Sequence, residues 1–185
     1  MQTGIQSDHV TEEDYLAAEE TSDIRHEYLG GLVCAMAGET RLHNTIALNI
    51  ATALRQHFKG GPCKVYMSDI RVNFDLRDDE YYYYPDIVVT CDKRDNDKRF
   101  VRHPKLVVEV LSPSTERIDK REKCFAYTSI ECLEEYVLVS QTTAEVTVFR
   151  RANDWKAGKA SGAKIAVPLK SLRLTLPLSV IYDGV

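Results

Sequence analysis

The stretches YYYYPDIVVTC (residues 81–91) and KLVVEVLSPST (residues 105–115) each carry one carboxylate, Asp86 and Glu109, within an apolar run. Such a run reads as a buried strand. A carboxylate is costly to desolvate there unless a cation, a metal or hydrogen bonds compensate it. Strand alternation in the second stretch sets Leu106, Val108 and Val110 on one face and Val107, Glu109 and Leu111 on the other, so Glu109 shares its face with apolar neighbours. Asp86 follows Pro85, which also fits an edge strand with the carboxylate in solvent. The sharper reading makes the two acids a pair at a metal site. The plainer one makes them members of structural ion pairs, which perturb buried acids equally.

Around this pair, 185 residues fit one domain with a proper core, residues 1–185, with 1–20 as an N-terminal arm and helix and 152–185 as C-terminal strands and turns. A 44% hydrophobic and 28% charged composition is that of a globular protein, and no apolar stretch approaches bilayer length. The first 20 residues are acidic and lack the apolar core of a secretory signal, so a cytoplasmic protein is expected, with no membrane partner. Five cysteines, Cys34, Cys63, Cys91, Cys124 and Cys132, lack CxxC spacing, and their odd number predicts buried thiols in a reducing compartment. A Cys/His hydrolase built from Cys63 or Cys124 with His43 or His103 has no local feature to activate the thiol. The net charge of −4 gives no global attraction to nucleic acid, but KRFVRHPK (98–105), ERIDKREK (116–123) and Arg150-Arg151 concentrate basic residues that either form a local basic face or are solvated surface.

Thr11 and Asp14 resemble a capping box and predict a helix over 12–20. RHEYL and LVCAMA flank Gly30-Gly31 as a β-hairpin that carries Glu27. Leu42, Ile46, Ile50, Ala53, Leu54 and Phe58 recur at helical spacing, and Gly60-Gly61-Pro62 stop the helix. His43, in its first turn, reads as a hydrogen-bonded core histidine. Strands follow in CKVYM, IRVNF, YYYPDIVVT and KLVVEVL, then a helix over 118–127, then strands in EEYVLVS and EVTVFRR. WKAGKASGAK reads as a flexible turn region, with weak strands at most after it. Tyr81 to Tyr84 read as a strand entering a sheet, with base stacking as the functional alternative. Ser112, Ser114 and Thr115 read as capping residues and Asp69 as a turn residue. The order of elements is that of a mixed α/β fold.

Pro85-Asp86 followed by Glu109 resembles the PD-(D/E)xK nuclease superfamily. The chain as a whole is similar to the Uma-type family of bacterial restriction-endonuclease-like proteins, through HEYLGGLV, His43-Asn44, SDIRV (68–72), YPDIVV, LVVEVLSPST, DKREKCFAY and EEYVLV in that order. The resemblance implies a restriction-endonuclease-like fold, a central mixed β-sheet flanked by helices, preceded by the N-terminal helix and β-hairpin. It implies that Asp86 and Glu109 hold Mg²⁺ or Mn²⁺, hard cations suited to carboxylate and water ligands. Leu111 stands where the superfamily pattern has lysine, and the family's displaced D-x-x-x-K pattern is matched by Asp119 and Lys123, with Lys120 on the same helix. Glu27 matches the family's N-terminal acid and either completes the cation shell or forms a hairpin salt bridge.

The activity so implied is Mg²⁺-dependent hydrolysis of DNA phosphodiester bonds, with Asp86, Glu109 and Lys123 catalytic and a homodimer compatible with double-strand cleavage. The rival readings are a catalytically inactive nucleic-acid-binding or assembly module on the same fold, and a metal-independent hydrolase with paired carboxylates.

Overall fold

The computed structural model describes residues 9–36, 38–112, 116–162 and 164–185. Helix α1 (Glu12–Thr21) begins where Thr11 Oγ1 accepts a hydrogen bond from the Asp14 amide (3.2 Å) and donates to Asp14 Oδ2 (2.7 Å). Strands β1 (His26–Leu29) and β2 (Leu32–Ala35) pair around Gly30 and Gly31, both at positive φ, where a side chain would be strained. Helix α2 (Arg41–His57) is capped by Thr40 and buries Ile46, Ile50 and Leu54, whereas Leu42 of the expected apolar stripe is exposed.

The expected single sheet is two sheets. One has the order β2-β1-β5-β4-β7, with β4 (Arg71–Leu76), β5 (Asp79–Tyr83) and β7 (Phe100–Val101); β4 and β7 run parallel. The other has the order β11-β10-β9-β8-β6-β3, with β3 (Lys64–Met67), β6 (Ile87–Thr90), β8 (Pro104–Leu111), β9 (Glu135–Ser140), β10 (Glu145–Arg150) and β11 (Ala157–Ser161). Its central pair β8–β9 is parallel and its other pairs antiparallel, so it is the mixed sheet of an α/β fold. The expected strand YYYPDIVVT is therefore two, β5 and β6, separated at Tyr84-Pro85-Asp86, and Tyr81 to Tyr83 belong to β5. Tyr82, Tyr83 and Tyr84 are buried, which removes their rings from base stacking.

The two faces of β8 pack as alternation requires. Leu106, Val108 and Val110 join the α2 core with Ile46, Ile50 and Leu54; Val107 and Leu111 join Val72, Phe74, Tyr83 and Tyr127 in a second core between the sheets. Burying each such aliphatic side chain contributes about 1.5–3 kcal/mol against a chain-ordering cost of comparable total.

Expectations for the C-terminal region and for the cysteines need correction. The WKAGKASGAK region holds β11, an edge strand of the large sheet, because its residues find the open side of β10. It is followed by a hairpin of β12 (Ala166–Leu169) and β13 (Leu174–Pro177) and by helix α5 (Leu178–Ile181), whose Leu178 and Ile181 enter the α2 core. Cys63 and Cys91 are not thiols but a disulfide: they flank β3 and β6, whose register pairs Lys64 with Thr90 and so sets the cysteines opposite each other. Cys34, Cys124 and Cys132 are free thiols. Among the described residues no helix is long and apolar enough to cross a membrane.

Candidate functional site

Asp86 lies immediately before β6. That strand is interior, flanked by β3 and β8, so the edge-strand alternative does not hold. The β6–β8 register pairs Ile87 with Val108 and thereby places Asp86 beside Glu109. The Asp86 amide donates to Glu109 Oε2 at 3.4 Å, and the Val110 amide donates to Asp86 Oδ2 at 2.6 Å. The His43 ring approaches the same oxygen, Nε2 to Oδ2 3.1 Å, with Glu39 at 3.8 Å. His43 is thus a hydrogen-bonded, buried histidine as expected, but its partner is the site carboxylate. Burial would push the imidazole down; the hydrogen bond and charge of Asp86, then Glu39, hold it above the ordinary histidine value.

Lys123 arrives from the other side. The helix expected over 118–127 is three consecutive pieces: α3 (Glu116–Ile118), a π-helical turn (Asp119–Lys123) and α4 (Cys124–Ser129). In the wider i→i+5 turn, positions four apart stack more nearly in line than in an α-helix. Asp119 and Lys123 are both buried there and lie 3.7 Å apart, while Lys120 is exposed. The Lys123 ammonium is 2.9 Å from Glu27 Oε1 and 3.3 Å from Glu109 Oε1. Glu27 of β1 also accepts the Tyr84 amide at 3.1 Å, which ties the hairpin to the segment that delivers Asp86. Among the described residues no arginine pairs with Glu27; its charged partner is Lys123. Tyr127 of α4 donates to Glu109 Oε1 at 3.3 Å. Ser112 is buried, and Ser114 and Thr115 lie outside the described residues.

The electrostatics follow from crowding. Glu109 is 4% exposed, and burial first, then Asp119, Asp86 and Glu27, hold its carboxyl well above the usual range against the opposing pull of Lys123. Burial would lower the Lys123 ammonium, but Glu109, Glu27 and Asp119 hold it well above its ordinary value. Five acidic side chains thus surround one ammonium and one imidazole: Glu27, Glu109 and Asp119 at Lys123, and Asp86 and Glu39 at His43. Among the described residues no three Asp, Glu, His or Cys side chains converge as a ready-made cage for an ion. Mg²⁺ does not need one, because it binds through one or two carboxylates and keeps waters and substrate oxygens. An excess of buried carboxylate oxygen over cation, with oxygen the only donor type at Asp86, Glu109 and Glu27, fits a hard divalent ion.

Asp86 and His43 open on a cleft of about 310 Å³ lined also by Asn44, Arg25, Asp69 and Tyr84. The alternation that exposes Glu109's setting is readable in sequence; the contributions of His43 and Tyr127 are not, since a histidine and a tyrosine at helical spacing look like any core residue. The pairing of His43 with Asn44 at the start of α2 was the one signal available.

Mixed sheets with helices against them, and an acid pair placed just before β6 and within β8, are those of a restriction-endonuclease-like α/β protein. Residues 12–179 match the model of the Uma2 family, described as "Putative restriction endonuclease", and the chain belongs to that family. "Uncharacterized protein slr1290" of Synechocystis sp. (strain ATCC 27184 / PCC 6803 / Kazusa) is 37% identical over 175 residues, 93% of this chain and 90% of that protein. "Uncharacterized protein sll1609" of the same organism is 27% identical over 170 residues, 89% and 95% of the two chains. The crystal structure of "a putative nuclease belonging to DUF820" from Anabaena variabilis ATCC 29413 superposes with a TM-score of 0.74 over 88% of this chain and 92% of that one, at 17% identity, a likeness of fold.

Proposed function

We propose that the protein is a Mg²⁺-dependent endonuclease, with Mn²⁺ able to substitute, that hydrolyses DNA phosphodiester bonds in the cleft beside Asp86. The observation that carries the reading is the delivery of Lys123 to Glu109 from the π-helical turn, which supplies the cation that Leu111 cannot. Asp86 and Glu109 would hold the metal ion, and Glu27 would complete its shell directly or through water. Bound there, the ion contributes Lewis acidity toward a phosphoryl oxygen. His43 and the Val110 amide both engage Asp86 Oδ2, which orients that carboxylate and leaves Oδ1 for a ligand. Lys123 neutralises charge developing on the phosphoryl group or orients the attacking water, a task for a compact point charge. Tyr127 fixes Glu109 by its hydroxyl. Two copies related by a twofold axis would cut both strands.

The test is nicking of supercoiled plasmid by purified protein with Mg²⁺, Mn²⁺ or EDTA, beside Asp86→Asn. Cleavage that needs the metal and disappears in the variant supports the proposal. Metal-independent cleavage, or full activity in the variant, rejects it, and DNA binding without cleavage favours a binding module.

A further inference from the structure

Arg71 of the sequence motif SDIRV has no part in the chemistry above, yet it is a buried cation. Arg71 opens β4 and is 3% exposed. Its guanidinium lies over three rings, those of Tyr82 (5.2 Å), Tyr15 (5.6 Å) and Tyr84 (5.8 Å), and its side chain donates one hydrogen bond, Nη1 to the Tyr15 hydroxyl at 3.4 Å. Among the described residues it pairs with no carboxylate. Tyrosine faces offer a desolvated guanidinium about 0.5–2 kcal/mol each, but they are not hydrogen-bond acceptors for the remaining N–H groups of its planar fork. Burial pushes Tyr15 up to about 12 and raises Tyr82 and Tyr84 further, so the rings remain neutral phenols and do not cancel the charge.

Arg71 lines a cleft of about 310 Å³ together with Glu19, Glu20, Arg25, Asp69, Tyr84 and Arg99. The acids of this cleft are engaged elsewhere. Asp69 pairs with Arg25 at 3.2 Å, Glu20 with Arg99, and Glu19 accepts from the His26 amide (3.0 Å) and the Tyr84 hydroxyl (2.9 Å) and meets the His26 ring at 3.0 Å. The cleft shares Arg25, Asp69 and Tyr84 with the one that holds Asp86. Tyr84 joins them physically, with its ring under Arg71 and its amide on Glu27.

We infer that Arg71 is a phosphate clamp: its cleft takes a backbone phosphate of the DNA strand beside the one positioned at Asp86 and Glu109. A guanidinium fork matches two phosphate oxygens at once, and a buried one acts with little screening. This inference rests on the endonuclease reading and deepens it, because it gives the strand a second anchor and a direction across the molecule from Asp86 toward Arg71.

The experiment measures binding rather than cleavage, with a fluorescein-labelled DNA duplex, metal-free, over a salt series. Arg71→Gln lowers affinity about tenfold, and the slope of log K against log salt falls by about one, the loss of one neutralised phosphate. Arg71→Lys keeps the slope but loses affinity, since it retains the charge without the fork. Thermal melting of each variant checks folding. Should Arg71→Gln fail to fold, wild-type protein decides the matter: inorganic phosphate titrated at constant ionic strength moves the backbone-assigned Arg71 Nε–Hε resonance to saturation. Unchanged affinity and slope in a folded Arg71→Gln, or an immobile resonance, overturns the clamp. Absence of DNA binding by the wild type both without metal and with Mg²⁺ brings down the endonuclease reading, whereas wild-type binding that a folded Arg71→Gln leaves unchanged brings down the clamp alone.

Discussion

Glu109 contacts a lysine and a tyrosine on one oxygen and the Asp86 amide on the other, while three further carboxylates raise its proton affinity. Glu109→Gln keeps the shape and removes one of four crowded acids, so the metal-free melting temperature should hold or rise while cleavage is lost. Melting curves beside a plasmid assay test this, and full cleavage would remove Glu109 from the site. Lys123→Ala should behave oppositely. It strands Glu27, Glu109 and Asp119 without their cation, and breaking a buried pair of this kind costs about 3–5 kcal/mol. Turnover should fall by about 10²–10³ if the ammonium stabilises the phosphoryl transition state. Millimolar Mg²⁺ should raise the variant's melting temperature more than that of wild type, for which a ligand at ten times Kd contributes about 1.4 kcal/mol. Equal shifts would mean that the ion binds elsewhere. At this scale the sequence is informative wherever polarity breaks an apolar pattern, as at Asp86 and Glu109. It is silent about Arg71, because a strand-opening arginine looks solvated until three tyrosines from α1, β5 and the segment after β5 close over it.

Among the elements, α1, the β1–β2 hairpin, α2 and β8 stand close to where capping residues, glycines and periodicity predict them. Those signals are local, carried by Thr11 and Asp14, Gly30 and Gly31, and the alternation around Glu109. The π-helical turn escaped prediction, because Asp119, Lys120, Arg121, Glu122 and Lys123 are all ordinary helix formers and the turn answers to what Asp119 and Lys123 must reach. A π turn behaves as an α-helix with one residue inserted. Inserting one alanine after the exposed Arg121 adds a residue that this turn no longer absorbs and, at about 100° per residue, should swing Lys123 away from Glu27 and Glu109. Helicity by circular dichroism should persist while cleavage drops as far as in Lys123→Ala. Cleavage at the wild-type rate in the insertion variant would show that the register of this turn does not position the lysine.

Across the whole molecule, the sequence conveys strands but not their partition into two sheets, since which strand lies beside which depends on contacts distant along the chain. The Cys63–Cys91 bond shows the same limit. A separation of 28 residues says nothing of pairing, whereas the antiparallel register of β3 and β6 sets the two positions face to face. By the chain-entropy relation, closing a loop of this length stabilises the fold by about 3–4 kcal/mol, which for a chain of this size corresponds to roughly 6–16 °C in melting temperature. Its place is at the end of β6 opposite Asp86, so it staples the strand that carries the acid without touching the acid itself. A reductant, or the Cys63→Ser/Cys91→Ser double variant, should lower the melting temperature by that order and leave plasmid cleavage at 25 °C unchanged. The free thiols Cys34, Cys124 and Cys132 provide the control, because replacing them together should leave the reductant sensitivity in place. Melting that ignores reductant would mean the bridge does not carry stability, and cleavage lost on reduction well below the melting temperature would mean that strain at Cys91 is transmitted along β6 to Asp86.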